Sequence, residues 1–113
     1  MSLLAEREYY KPFNYPWAFE HYKTQQHMHW LPDEVNLADD LRDYREKLTP
    51  ENKKLISQIF RFFTQADVDV CCGYAKHYLP TFKQPEVRMM LSAFAAMEAV
   101  HQEAYSLLLE TLG

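Results

Sequence analysis

The chain has only two glycines in 113 residues and no long apolar run. Both absences point to a helical, water-soluble protein rather than a membrane-spanning one. Cysteine is equally scarce. Cys71 and Cys72 are adjacent and cannot staple distant parts of a fold, so two buried, reduced thiols are expected. Positive charge is in the minority, with 12 basic against 16 acidic residues, which argues against a general nucleic-acid binder. The opening MSLLAEREYYK lacks the basic and apolar regions of a secretory leader, and a cytoplasmic address is expected. No internal repeat or low-complexity segment is present. What is there is 48% hydrophobic, enough for one domain with a modest core.

Residues 1–15 hold aromatics and a proline without periodicity and read as an extended arm. Pro16 is placed to open a helix through about His29, because a first-turn proline gives up no needed N–H. Trp30-Leu31-Pro32 ends it. The following DEVNLADDLRDYREK is dense in charge and short of apolar positions, and reads as a solvated surface. Thr49-Pro50-Glu51 is a strong helix start: a capping hydroxyl, a first-turn proline, then an acid at the positive helix end. That helix is expected to run to Leu79 and stop at Pro80. A second start follows at Gln84-Pro85-Glu86, with Gly113 as the far cap. Two long helices, antiparallel and joined by a turn around residues 80–84, are the predicted framework.

In the last helix Val87, Leu91, Phe94, Glu98, His101, Tyr105, Leu108 and Leu112 follow in alternating steps of four and three, the spacing of a packing seam. Three polar residues occupy successive positions in that apolar stripe. In the preceding helix Ile56, Phe60, Phe63, Asp67, Val70 and Tyr74 step in the same way, with Asp67 as the interruption, while Asp69 falls off the line and is expected to face outward. Asp67 lies twelve residues before Leu79 and Glu98 twelve after Glu86. At 1.5 Å per residue both stand roughly 18 Å from the turn, so Asp67 is expected to face Glu98.

Burying unpaired carboxylates opposite one another is unfavourable unless a cation joins them. Oxygen donors with one imidazole and no thiolate suit iron or manganese better than structural zinc. Glu98 and His101, at i and i+3, project from one helix face, and bundles with di-iron or di-manganese carboxylate centres use this Glu-x-x-His spacing. Plainer readings stand beside this one. A lone Glu-x-x-His is usually a solvent-exposed pair, and Asp67 alone could be satisfied by a tyrosine or lysine. Tyr105 on a seam is usually a core aromatic, and Trp30 reads equally as an interface aromatic.

From about Tyr15 to Gly113 the sequence resembles the N-terminal part of the small, radical-generating subunit of class I ribonucleotide reductase. FFTQADVDV is similar to the helix bearing that family's first metal-binding aspartate, which falls on Asp67. MEAVHQEAYS is similar to the next helix, whose glutamate, histidine and radical tyrosine fall on Glu98, His101 and Tyr105. HWLPDEV resembles the stretch whose tryptophan serves electron transfer, which falls on Trp30. The resemblance implies an all-α, ferritin-like helical bundle, with 1–113 a single unit at its N-terminal end. It also implies a dinuclear iron, manganese or mixed centre, a tyrosyl radical, and a large catalytic subunit as partner. The family completes its site with a second helix pair bearing a further carboxylate and another Glu-x-x-His, and docks through a C-terminal tail. Neither lies within these 113 residues, so the expectation is a piece of a longer subunit, half of a split one, or a half that self-associates as a homodimer. Two other functions stay open: a ferritin-like oxidase using the same metals, and a non-catalytic helical hairpin that dimerises through its seam. Neither nucleic acid nor membrane is an expected partner.

Overall fold

The computed structural model describes residues 2–113, and they are all-helical, with no strand among them. In chain order the elements are α1 (Pro16–His27), a 3₁₀ turn (Pro32–Glu34), α2 (Ala38–Lys47), α3 (Pro50–Gly73), a π-helical stretch (Tyr74–Tyr78), the short α4 (Leu79–Thr81) and α5 (Pro85–Leu112). The proline starts act as the sequence predicts. Pro16, Pro50 and Pro85 each occupy the first helical position, and Thr49 Oγ1 caps α3 by accepting the Asn52 N–H at 3.2 Å. α1 ends near its predicted limit because Leu31, preceding Pro32, must be extended (φ −120°, ψ 146°).

Three expectations need correction. Pro80 does not end the third helix. It lies inside α4, and the stretch before it loosens to π geometry, with the Leu79 N–H reaching back to the Tyr74 carbonyl. That wider turn gives room where the proline ring would clash with the carbonyl four residues earlier. The charged segment after Pro32 carries a helix that the sequence reading did not include, Ala38–Lys47; its charges are mostly exposed, as expected, and Leu41, Asp43 and Tyr44 are half-buried. Cys72 is exposed and only Cys71 is half-buried. Neighbours on a helix point about 100° apart, so two adjacent thiols cannot both face inward.

The chain divides into two compact units, Met1–His29 with Asp69–Glu98, and Trp30–Val68 with Ala99–Gly113. α3 and α5 run through both. The core of the first unit is Ala18, Val87, Met90 and Leu91, wrapped by Tyr15, Tyr22, Tyr74, Phe82 and Phe94. Here α3 and α5 are antiparallel: the Cys71 thiol points at the Ala95 carbonyl, and Tyr74 packs on Phe94. The arm is held down by a buried polar knot. Arg7, 1% exposed, pairs with the fully buried Glu86 at 2.5 Å. It also donates to Gln84 Oε1 at 2.9 Å and to the carbonyls of Tyr9 and Tyr10 at 2.9 and 2.8 Å. Glu86 accepts the Tyr15 N–H as well, and Gln84 donates to the Ala5 carbonyl. Burial alone would push the Glu86 pKa up, but the Arg7 guanidinium and two backbone N–H groups outweigh it, and the net shift is downward.

In the second unit the same antiparallel relation holds. Gln102 donates to the Asp67 carbonyl, and both Phe60 and Phe63 pack on Tyr105. Leu112 is buried at the end of α5, and Tyr44 on α2 meets Ser57 on α3 at 3.3 Å. The predicted seam is not sealed everywhere. Phe63 and Val70 remain 41% and 45% exposed, because no described element covers that side of α3.

Candidate metal centre

Asp67 comes from α3, Glu98 and His101 from α5. On α5 the last two are one turn apart, so their side chains leave the same face. One ligand atom from each of the three residues lies within 4.8 Å of the others. All three side chains are half-buried, and Asp69 is exposed, as its place off the seam predicts.

Asp67 Oδ2 is the atom that gives this cluster its character. It is closed off from solvent and has no hydrogen-bond partner, alone in this among the described side-chain oxygens and nitrogens. A carboxylate oxygen left so is unfavourable by several kcal/mol unless a cation or donor meets it. Two carboxylates and an imidazole fit a hard or borderline divalent ion such as iron or manganese. The donor set and the orphaned oxygen therefore fit the metal that the sequence pattern implies.

The remaining sequence candidates surround His101 within the second unit. The Trp30 ring stands 6.3 Å from the His101 ring, tilted by 34°. Tyr105, one turn beyond His101, is stacked on Phe60 at 5.9 Å and packed on Phe63 at 5.7 Å. An apolar cavity of about 170 Å³ lies beside them, lined by Trp30, Pro32, Val35, Leu37, Tyr105 and Leu108 among others. The Tyr105 ring is thus bounded by aromatic and aliphatic carbon, an arrangement poor in groups that could donate hydrogen to it.

Comparison with known proteins matches residues 7–113 to the family described as ribonucleotide reductase, small chain. This chain belongs to that family. It is 51% identical, over all 113 of its residues, to a probable ribonucleoside-diphosphate reductase small subunit of Invertebrate iridescent virus 6. It is 34% identical over 100 residues, or 88% of its length, to the ribonucleoside-diphosphate reductase small subunit of Dictyostelium discoideum. The chain spans about 31% and 30% of those relatives' lengths. An all-helical chain is what the small-chain family's helical fold calls for, and no described helix is long and apolar enough to cross a membrane.

Sequence reasoning gave no role to Tyr74, although it stood on the predicted seam. The structure sets it in the core of the first unit. Burial, then the negative charge of Glu98, then Tyr78, raise its pKa above the ordinary phenol value. Its position seven residues after Asp67 on the same stripe was the available signal.

Proposed function

We propose that this chain contributes Asp67, Glu98 and His101 to the dinuclear metal centre of a ribonucleotide reductase small subunit, and Tyr105 as the side chain oxidised beside it. The observation that carries the proposal is the buried, unpartnered Asp67 Oδ2 within a three-ligand cluster. A bound pair of iron or manganese ions supplies one-electron oxidation of a neighbouring phenol when it meets an oxygen-derived oxidant. Everything else is the work of the polypeptide.

Asp67 and Glu98 bind through carboxylate oxygens, and their charge offsets that of the divalent ions. His101 binds through one ring nitrogen, and the Trp30 ring beside it restricts how the imidazole turns. Tyr105 holds its proton at Oη until oxidation releases it. Phe60 and Phe63 cover part of the ring, which is half-buried, and the second helix pair would complete the exclusion of water and reductants that a long-lived phenoxyl radical needs. Trp30 is the side chain through which that oxidising equivalent leaves for the large subunit, where it starts reduction of ribonucleotides to deoxyribonucleotides. Tyr105 is also what favours this reading over a ferritin-like oxidase, which needs no oxidisable side chain there. A dinuclear site requires more donors than three, and the others come from a second helix pair, on further polypeptide or on a second copy of this hairpin.

Cobalt(II) titration tests the ligand assignment, because its visible bands report on bound nitrogen and oxygen donors. Wild-type protein is expected to develop them, and Asp67→Asn and His101→Ala to lose them. A spectrum unchanged by His101→Ala refutes the assignment.

A further inference from the structure

Tyr74 and Tyr78 lie outside the ligand cluster, yet they bracket the π-helical stretch of the first unit, a distortion that recurs at functional sites. Their rings meet edge to face, 5.5 Å between centroids at 66°. Tyr78 is 49% exposed. Tyr74 is half-buried in the core cluster and packs on Phe94 at 6.5 Å. Glu98 is one turn beyond Phe94 on α5, near enough for its charge to act on the Tyr74 phenol. Two oxidisable rings in contact therefore run from the Phe94 turn of α5, next to the turn that carries Glu98, to solvent.

We propose that Tyr74 and Tyr78 form a one-electron conduit between the Glu98 end of the metal centre and the protein surface. The proposal rests on the metal reading of Glu98. Oxidation of Tyr74 by the loaded site removes one electron and displaces the phenolic proton. Tyr74 then recovers an electron from Tyr78 and takes a proton back, so its own count is unchanged. The net transfer is one electron from Tyr78 to the site and one phenolic proton from Tyr78 to bulk water. A thiol-class reductant at the surface returns both as a hydrogen atom, becoming a thiyl radical that pairs with another to give a disulfide. A tyrosine is a neutral phenol at neutral pH, so each oxidation is coupled to proton movement. The consequence is a route by which reducing equivalents reach the centre without passing through Tyr105 or Trp30.

The outer half is tested without metal. 3-Aminotyrosine, which oxidises more easily than tyrosine, replaces Tyr74 in the full chain and acts as a trap. Flash oxidation with tris(bipyridine)ruthenium and a sacrificial acceptor is then expected to yield the aminotyrosyl radical, distinguished by absorption and electron paramagnetic resonance. Tyr78→Phe is expected to lower that yield several-fold, while Tyr9→Phe and Tyr10→Phe, at comparably exposed rings outside the Tyr74–Tyr78 pair, leave it unchanged. An undiminished yield in Tyr78→Phe overturns the conduit. The inner half is tested in iron-containing protein, where oxygen is expected to produce the same radical at position 74, and its absence there overturns the link to Glu98. Neither result can be confused with failure of the metal centre, which the cobalt spectrum and iron content report separately.

Discussion

Replacing Arg7 by alanine is expected to unfasten the N-terminal arm and destabilise the first unit. The guanidinium makes two bonds to Glu86, one to Gln84 and one each to the Tyr9 and Tyr10 carbonyls. Without it, Glu86 stays fully buried with the Tyr15 N–H among its few remaining donors. Removing one partner of a buried ion pair costs about 3–5 kcal/mol, because the other charge is left uncompensated. At about 4 °C per kcal/mol for a chain of this length, the midpoint of thermal unfolding falls by about 12–20 °C. Glu86→Gln keeps a neutral acceptor in place and is expected to lose less, about 1.5–3 kcal/mol for the charge-assisted bonds. The two effects should be strongly non-additive in the double variant. pH adds an independent check. The folded Glu86 pKa lies below the ordinary 4.5, so the pair's contribution is complete above pH 4.5 and disappears as pH falls through the lowered value. The gap between wild type and Glu86→Gln should therefore close in acid. Circular dichroism melts across pH 3–7, a range of about four units chosen around that titration, make the measurement. An Arg7→Ala midpoint within about 2 °C of wild type refutes the argument, since it corresponds to well under 1 kcal/mol.

Tyr105→Phe in a metal-loaded complete subunit is expected to abolish the stable tyrosyl signal in electron paramagnetic resonance while metal content is retained; an undiminished stable signal assigns that radical elsewhere. Asp67→Asn is expected to raise the melting temperature of the metal-free protein, because it removes charge from an unpartnered carboxylate, and to weaken cobalt binding in the same sample. Leu91→Ala, at a site only 8% exposed, should cost about 2–5 kcal/mol in denaturant unfolding. Leu55→Ala, at a site 56% exposed, should stay within about 0.5 kcal/mol. Sedimentation with and without ferrous iron tests self-association: a metal-dependent dimer lost in His101→Ala is the expected result, and a monomer indifferent to metal refutes it.

What the sequence made legible was periodic or local. Asp67, Glu98, His101 and Tyr105 were singled out because polar residues interrupted two apolar stripes, and stripes are a direct image of helix geometry. The first residues of α1, α3 and α5 were legible because proline at a helix start has a single cause, its missing N–H. α2 escaped because its apolar positions are few, and only the four-and-three stepping of Leu37, Leu41, Tyr44 and Leu48 marks a helix inside so much charge. The Arg7–Glu86 pair was invisible for a different reason. Its partners are 79 residues apart, and no rule of spacing joins an arginine in an arm to a first-turn glutamate. The exposure of Phe63 and Val70 also lay beyond periodicity, which says which residues share a face but not what covers it.

The π-helical stretch carries one residue more than an α-helix would use to advance the same distance. In an ordinary helix an inserted residue would rotate everything beyond it by about 100° and turn a buried face outward. Here the surplus is absorbed between Tyr74 and Tyr78, so the packing on either side is insulated from it. Deleting one residue from Ala75–His77 should accordingly cost only the local room that the wider turn gives the Pro80 ring, whereas the same deletion between Phe60 and Asp67 would turn either Phe60 or Asp67 off the seam. A length difference of one residue is therefore expected to be better tolerated at this turn than one or two turns earlier. The stretch is a place where a change of one residue leaves Asp67 on the seam.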